Sequence, residues 1–121
     1  MGGERGRQTV RALADQREEL RRLIVELCVE RREVTLSSGK QSDFYLDLRR
    51  LLMRPRGLKL AGELVLARLM AGPWVDAVGG MAVGAVPLVA AVLAAAANDD
   101  PAPKLVGLSL VEENATACRN A

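Results

Sequence analysis

The stretch from residue 75 to residue 111, "VDAVGGMAVGAVPLVAAVLAAAANDDPAPKLVGLSLV", constrains the fold more than any other part of the chain. "VDAVGG" is a short apolar run of strand composition that passes straight into the glycine-rich "GGMAVGA". Pro87 then stands where a helix starts, because its missing N–H and preset φ cost nothing in a first helical turn. "PLVAAVLAAAA" is that helix. "NDDPAP" is a turn by composition, so Asp99 and Asp100 belong to a turn rather than to a strand end. "KLVGLSLV" is a second apolar strand. Strands joined through a helix cannot pair as a hairpin, so the order predicts a parallel β-α-β crossover and a chain of the α/β class.

In open α/β sheets a ligand lies beyond the carboxyl ends of the strands. Here that place is the loop Gly79 to Val86, whose small residues let backbone N–H groups approach an anion at a helix start. Such a loop suits a phosphate or pyrophosphate. It is neither GxGxxG nor a Walker loop with its Lys and Ser/Thr, and tight packing alone explains glycines there about equally well.

Upstream, Val10, Leu13, Leu20, Leu23, Ile24, Leu27 and Cys28 recur at helical spacing between Gln8 and Arg32, with Arg and Glu between them. The pattern predicts an amphipathic helix. "EVTL", the turn "SSGKQS" and "DFYLDLRR" follow. In the last, Phe44, Leu46 and Leu48 alternate with Asp43, Tyr45, Asp47 and Arg49, a paired-strand pattern. "MRPRG" breaks the chain. "GLKLAGELVLARLMA" then predicts a second helix with Leu58, Ala61, Leu64, Val65 and Leu69 on its apolar face, ended by "GPW".

Composition removes whole classes of chemistry. The 121 residues contain no histidine and two distant cysteines, Cys28 and Cys118. Neither a zinc site nor a histidine-based triad can be assembled from them. A net charge of +2 is too small to imply a nucleic-acid or membrane partner. The N-terminus lacks the apolar core of a signal peptide, and Gly84 and Pro87 interrupt the longest apolar run, so a cytoplasmic protein is expected. Length allows one domain, residues 1–121.

The chain's single Phe and single Tyr stand side by side at 44 and 45 in a polar stretch. Ser37, Ser38, Gly39, Lys40 and Ser42 offer hydroxyls, a pliable backbone and a cation, and the aromatics offer flat faces. Together they suit a planar anionic ring. The plainer alternative makes Phe44 a core residue and Tyr45 a half-exposed strand residue.

"VTLSSGKQSDFYLDLRR", a helix, and "VDAVGGMAVGAVPLVAAV" occur in an order that resembles the N-terminal part of the orotate phosphoribosyltransferase family, from about residue 18 to residue 108. The resemblance implies a partial type I phosphoribosyltransferase fold. Residues 8–50 would form an N-terminal helix and a hood of strands, residues 57–111 the start of the parallel α/β core, and residues 112–121 a tail outside the family pattern. It implies a homodimer that joins orotate to 5-phosphoribosyl-1-pyrophosphate with Mg2+, giving orotidine 5'-monophosphate and pyrophosphate in pyrimidine biosynthesis. Tyr45 and Leu46 match the orotate-contacting positions, with Phe44 beside them, so the aromatics would stack on a pyrimidine. Gly80, Met81, Ala82, Val83, Gly84 and Ala85 match the pyrophosphate loop.

Departures from the family are as informative. Ser37 stands where some members carry a Lys that contacts the phosphoribosyl donor, and Lys40 is its possible substitute. Ala82 and Val83 replace a Tyr-Lys pair, so this loop would bind through its backbone. After Gly107 the chain reads "LSLVEENATACRNA", without the family's Lys-rich, His-containing loop or its acidic pair followed by Thr and Gly. Glu112, Glu113 and Thr116 could pose as that pair, but Ala117, Cys118 and Arg119 replace the glycines that would wrap a phosphate. A truncated or frameshifted ending is expected, with no catalytic residue assigned and little or no turnover from this chain alone. The rival expectations are a non-catalytic module that binds orotate or a nucleotide, and an inactive fragment.

Overall fold

The structure, a computed structural model, describes residues 2–111, with side chains from residue 11 onward. They fall into two compact units, one reaching Gly57 and the other starting at Leu58.

In the first unit, helix α1 runs Gly2–Cys28. Leu13, Leu20, Leu23, Ile24 and Leu27 are half-buried along one side, and Cys28 is fully buried, as the periodicity predicts. The helix stops four residues short of Arg32 because its continuation is taken into strand pairing. β1 (Val29–Glu30) pairs antiparallel with β4 (Tyr45–Leu46), Val29 opposite Leu46 and Glu30 opposite Tyr45. The Cys28 carbonyl accepts the Asp47 N–H at 3.0 Å. β2 (Val34–Thr35) pairs with β3 (Gln41–Ser42) further along the same ribbon. Residues 31–33 separate β1 from β2, whereas only 43 and 44 separate β3 from β4. The extra residue is a bulge that bends the ribbon.

The ribbon folds back at "LSSGK". The Leu36 carbonyl accepts the Gly39 N–H at 2.9 Å, and the Leu36 N–H donates to the Lys40 carbonyl at 2.8 Å. Gly39 has a φ of 85°, the left-handed residue that closes a three-residue hairpin loop.

The expected strand over "DFYLDLRR" is cut to its middle two residues. The Asp47 carboxylate accepts the Arg49 N–H at 3.1 Å and the Arg49 guanidinium at 2.9 and 3.2 Å. This local turn diverts the chain into α2 (Arg49–Leu52), which packs on α1 with Leu51 and Leu52 buried. A Cβ at Gly57 would collide with the Leu51 carbonyl oxygen, so glycine permits that approach.

Helix α3 (Pro55–Met70) starts at its proline, two residues before the expected Gly57. Its buried positions are Gly57, Leu60, Ala61, Gly62 and Leu66, whereas Leu58, Leu64, Val65 and Leu69 of the expected face are only half-buried. Gly62 explains the rotation. A Cβ there would meet the Ala91 carbonyl oxygen at 2.6 Å, so α3 and α4 (Val86–Ala96) approach backbone to backbone. Leu66 then packs with Val92 and Ala96, joined by Val65, Leu69, Val78, Ala95 and Leu105.

The predicted crossover is present. β5 (Ala77–Met81) and β6 (Val106–Leu110) are parallel, with Ala77 opposite Val106 and Met81 opposite Leu110, and α4 connects them. The helix lies on the face that carries Gly80 and Gly107, where a Cβ would stand 2.9 Å from the Ala85 Cβ and 2.6 Å from Leu93 Cδ1. Asp99 and Asp100 are in a turn. No described helix is long and apolar enough to cross a membrane.

Candidate functional site

At the carboxyl end of β5 the chain makes a tight connection into α4. The Ala82 N–H donates to the Leu110 carbonyl at 2.7 Å, the Ala85 N–H to Met81 at 3.1 Å and the Val86 N–H to Val83 at 3.2 Å. The Ala82–Val83 peptide is cis. Among the described residues, these bonds use the N–H groups of Ala82, Ala85 and Val86 but not those of Val83 and Gly84, which are exposed. The N-cap of α4 is Ala85, which has no capping side chain, and the first turn holds no acidic residue. Among the described residues nothing compensates the positive end of the helix dipole. A small anion fits this chemistry, and among the described residues it is the backbone that is available to bind it.

The hairpin of the first unit is arranged differently from the sequence expectation. Ser37 and Lys40 sit in the turn, and both are exposed. The Ser42 hydroxyl donates to the Phe44 carbonyl at 2.9 Å and accepts the Phe44 N–H at 3.4 Å. That clasp lies on the strand opposite the bulge, where Phe44 is 51% exposed, so the alternative that made it a core residue fails. Tyr45 and Leu46 are also partly open on β4, at 37% and 45%.

Tyr45 is not a free stacking face. The Arg32 guanidinium carbon lies 5.5 Å from its ring centroid, within cation–π range. Arg32 is held by Glu30 at 2.8 Å, and the other Glu30 oxygen takes Arg50 at 2.6 Å. The Arg32 hydrogen bond, aided by the charge of Arg50, keeps the Glu30 carboxyl below the ordinary carboxylate range. An open cleft of about 480 Å³ lies beside the bulge, lined by Val29, Arg31, Arg32, Glu33, Asp43 and Phe44. Phe44 alone of the three expected orotate-contacting residues lines it. Arg31 and Arg32 were not expected in the site, although "ERRE" immediately upstream of the hairpin announced the charge.

No three His, Cys, Asp or Glu side chains converge as a metal cage among the described residues. Glu112, Glu113 and Thr116 lie outside the described residues.

No protein-family model matches the chain. Orotate phosphoribosyltransferase of Corynebacterium glutamicum is 45% identical over 87 residues, 71% of this chain and 46% of the relative. The Rhodopirellula baltica orotate phosphoribosyltransferase is 42% identical over 77 residues, 60% of this chain and 40% of the relative. Among solved structures, Mycobacterium tuberculosis orotate phosphoribosyltransferase in complex with inorganic phosphate aligns with a TM-score of 0.61 at 34% identity, over 82% of this chain and 55% of that one. The chain spans about half the length of the relatives it matches.

Proposed function

We propose that this chain, homologous to the orotate phosphoribosyltransferases over 71% of its length, binds orotate at its hairpin hood and the pyrophosphate group of phosphoribosyl pyrophosphate at the loop after β5. The fold is the partial type I phosphoribosyltransferase fold that the sequence predicted: helix, hood strands and a parallel β-α-β unit. In this reading the pyrimidine lies against Phe44, with Tyr45, covered by Arg32, and Leu46 next in the chain, and Ser37 and Lys40 take donor oxygens. Gly80, Met81, Ala82, Val83, Gly84 and Ala85 form the pyrophosphate cradle.

The observation that carries the proposal is the uncapped start of α4. A departing pyrophosphate needs donors placed before the charge develops. The free loop N–H groups and the helix dipole are such donors, already fixed by the Met81, Val83 and Leu110 carbonyls. The Mycobacterium tuberculosis relative was solved with inorganic phosphate, which is in keeping with an anion site in this fold. Orotate N1 would attack the ribose carbon as the pyrophosphate leaves, so charge builds at the sugar as well. No residue of this chain is assigned to the sugar, and the chain alone is proposed to bind without appreciable turnover. The described residues do not form a cage for the Mg2+ that the family implies. A homodimer in the cytoplasm completes the proposal.

The test is to titrate the purified chain with orotate and with pyrophosphate by calorimetry, then add phosphoribosyl pyrophosphate and Mg2+ and follow orotate absorbance. Binding of both ligands with stable absorbance is expected. Rapid orotate loss would overturn the part about turnover, and binding of neither ligand would overturn the whole reading.

A further inference from the structure

Of the six residues lining the cleft beside the bulge, Val29 and Phe44 supply apolar surface and the other four are charged. The charges are not equivalent. Arg32 is committed to Glu30 at 2.8 Å and to the Tyr45 ring at 5.5 Å. Arg31 makes no ion pair or hydrogen bond among the described residues, so its guanidinium is the available cation of the cleft. Glu33 and Asp43 on the same lining disfavour a polyphosphate there, because their repulsion opposes the single arginine that is not already paired. They tolerate a flat ring that carries N–H donors and one negative charge. At about 480 Å³ the cleft falls within the range of small-molecule sites.

We infer that Arg31 is the specificity-determining residue of the hood, pairing with the carboxylate of a pyrimidine whose ring lies against Phe44, with the fixed Arg32 as a wall of the cleft. The inference rests on the orotate reading of the hood and adds to it the group that separates orotate from uracil, which differs by that carboxylate. Guanidinium is suited to the task because its fork matches both carboxylate oxygens. Arg31 is exposed and has no partner in the described fold, so its replacement leaves the hairpin intact.

Calorimetric titration of the full chain, its R31Q and R31K variants, with orotate and with uracil, tests this. In the wild type orotate is expected to bind about tenfold more tightly than uracil, a difference typical of one charge-assisted pair. R31Q is expected to erase that ratio with uracil affinity unchanged, and R31K to keep part of it. Equal binding of the two ligands by the wild type, or a ratio that survives R31Q, overturns the role of Arg31 while leaving the orotate reading standing. Binding of neither ligand by the wild type overturns both.

Discussion

At Glu30 a single carboxylate holds Arg32 on one oxygen at 2.8 Å and Arg50 on the other at 2.6 Å, tying β1 to the bulge and to α2. Its pKa in the folded chain is lowered, chiefly by the Arg32 hydrogen bond and then by the charge of Arg50. A lowered carboxylate pKa contributes stability above the unfolded value and loses it as pH falls through the folded one. The Tyr45 ring resonances, which sense Arg32, are therefore expected to shift as pH falls below the ordinary carboxylate range and through the lowered Glu30 value. Asp47 is likewise lowered by its hydrogen bond from Arg49, whose guanidinium also interacts with Tyr45, so D47N is the control for that second contribution. E30Q is expected to flatten most of the Tyr45 shift in NMR spectra, and an unchanged titration would assign it elsewhere. Gly39 offers a second residue-scale check. Its φ of 85° suits no side chain, and open space surrounds it, so G39A tests conformation alone. Denaturant unfolding is expected to show a loss of about 1–2 kcal/mol, the cost of a left-handed Cβ.

Between elements, α3 approaches α4 backbone to backbone at Gly62 and Ala91, where an added Cβ would stand 2.6 Å from a carbonyl oxygen. G62V is expected to destabilise by about 1–3 kcal/mol, the range of overpacked cores, in the same unfolding experiment. A neutral result would mean that the helices separate at little cost. The same pair shows why some elements were legible in the sequence and others were not. The crossover through α4 could be read from 75–111 because strand, glycine loop, proline and helix each have local causes that agree. The face of α3 could not, because leucines surround the helix and one glycine in contact with another element decides which of them turn inward. α2 was hidden in the alternation of "DFYLDLRR", since the Asp47 side chain overrides strand pattern through a bond two residues long. The Arg32–Tyr45 contact depends on the bulge, and period-two reading places no extra residue in a ribbon. The loop Gly79 to Val86 was expected to suit an anion from its glycines and the helix start, and both of those local features are present in the backbone. The charged cleft at Phe44 was not, because it needs residues 31–33 and 43–44 to meet across that bulge.

At the scale of the molecule, the parallel sheet of β5 and β6 departs from what parallel sheets ordinarily do, which is to keep both faces covered. α4 covers the face of Gly80 and Gly107. Met81, Val106 and Leu108 on the opposite face are 46%, 60% and 41% exposed. An apolar face beside open strand edges favours association with other chains. Sedimentation at rising concentration is therefore expected to show self-association of the wild-type chain, reduced in V106K. Val106 lies on neither the loop nor the hood, so circular dichroism and pyrophosphate binding are expected to be unchanged by the substitution. The variant also separates two kinds of assembly. A homodimer of the sort proposed from the family, if made through another surface, would survive V106K as a fixed species at twice the chain mass, whereas association through the sheet face would collapse toward monomer. Undiminished, open-ended association in V106K would show that the exposed face of β5 and β6 is not what brings the chains together.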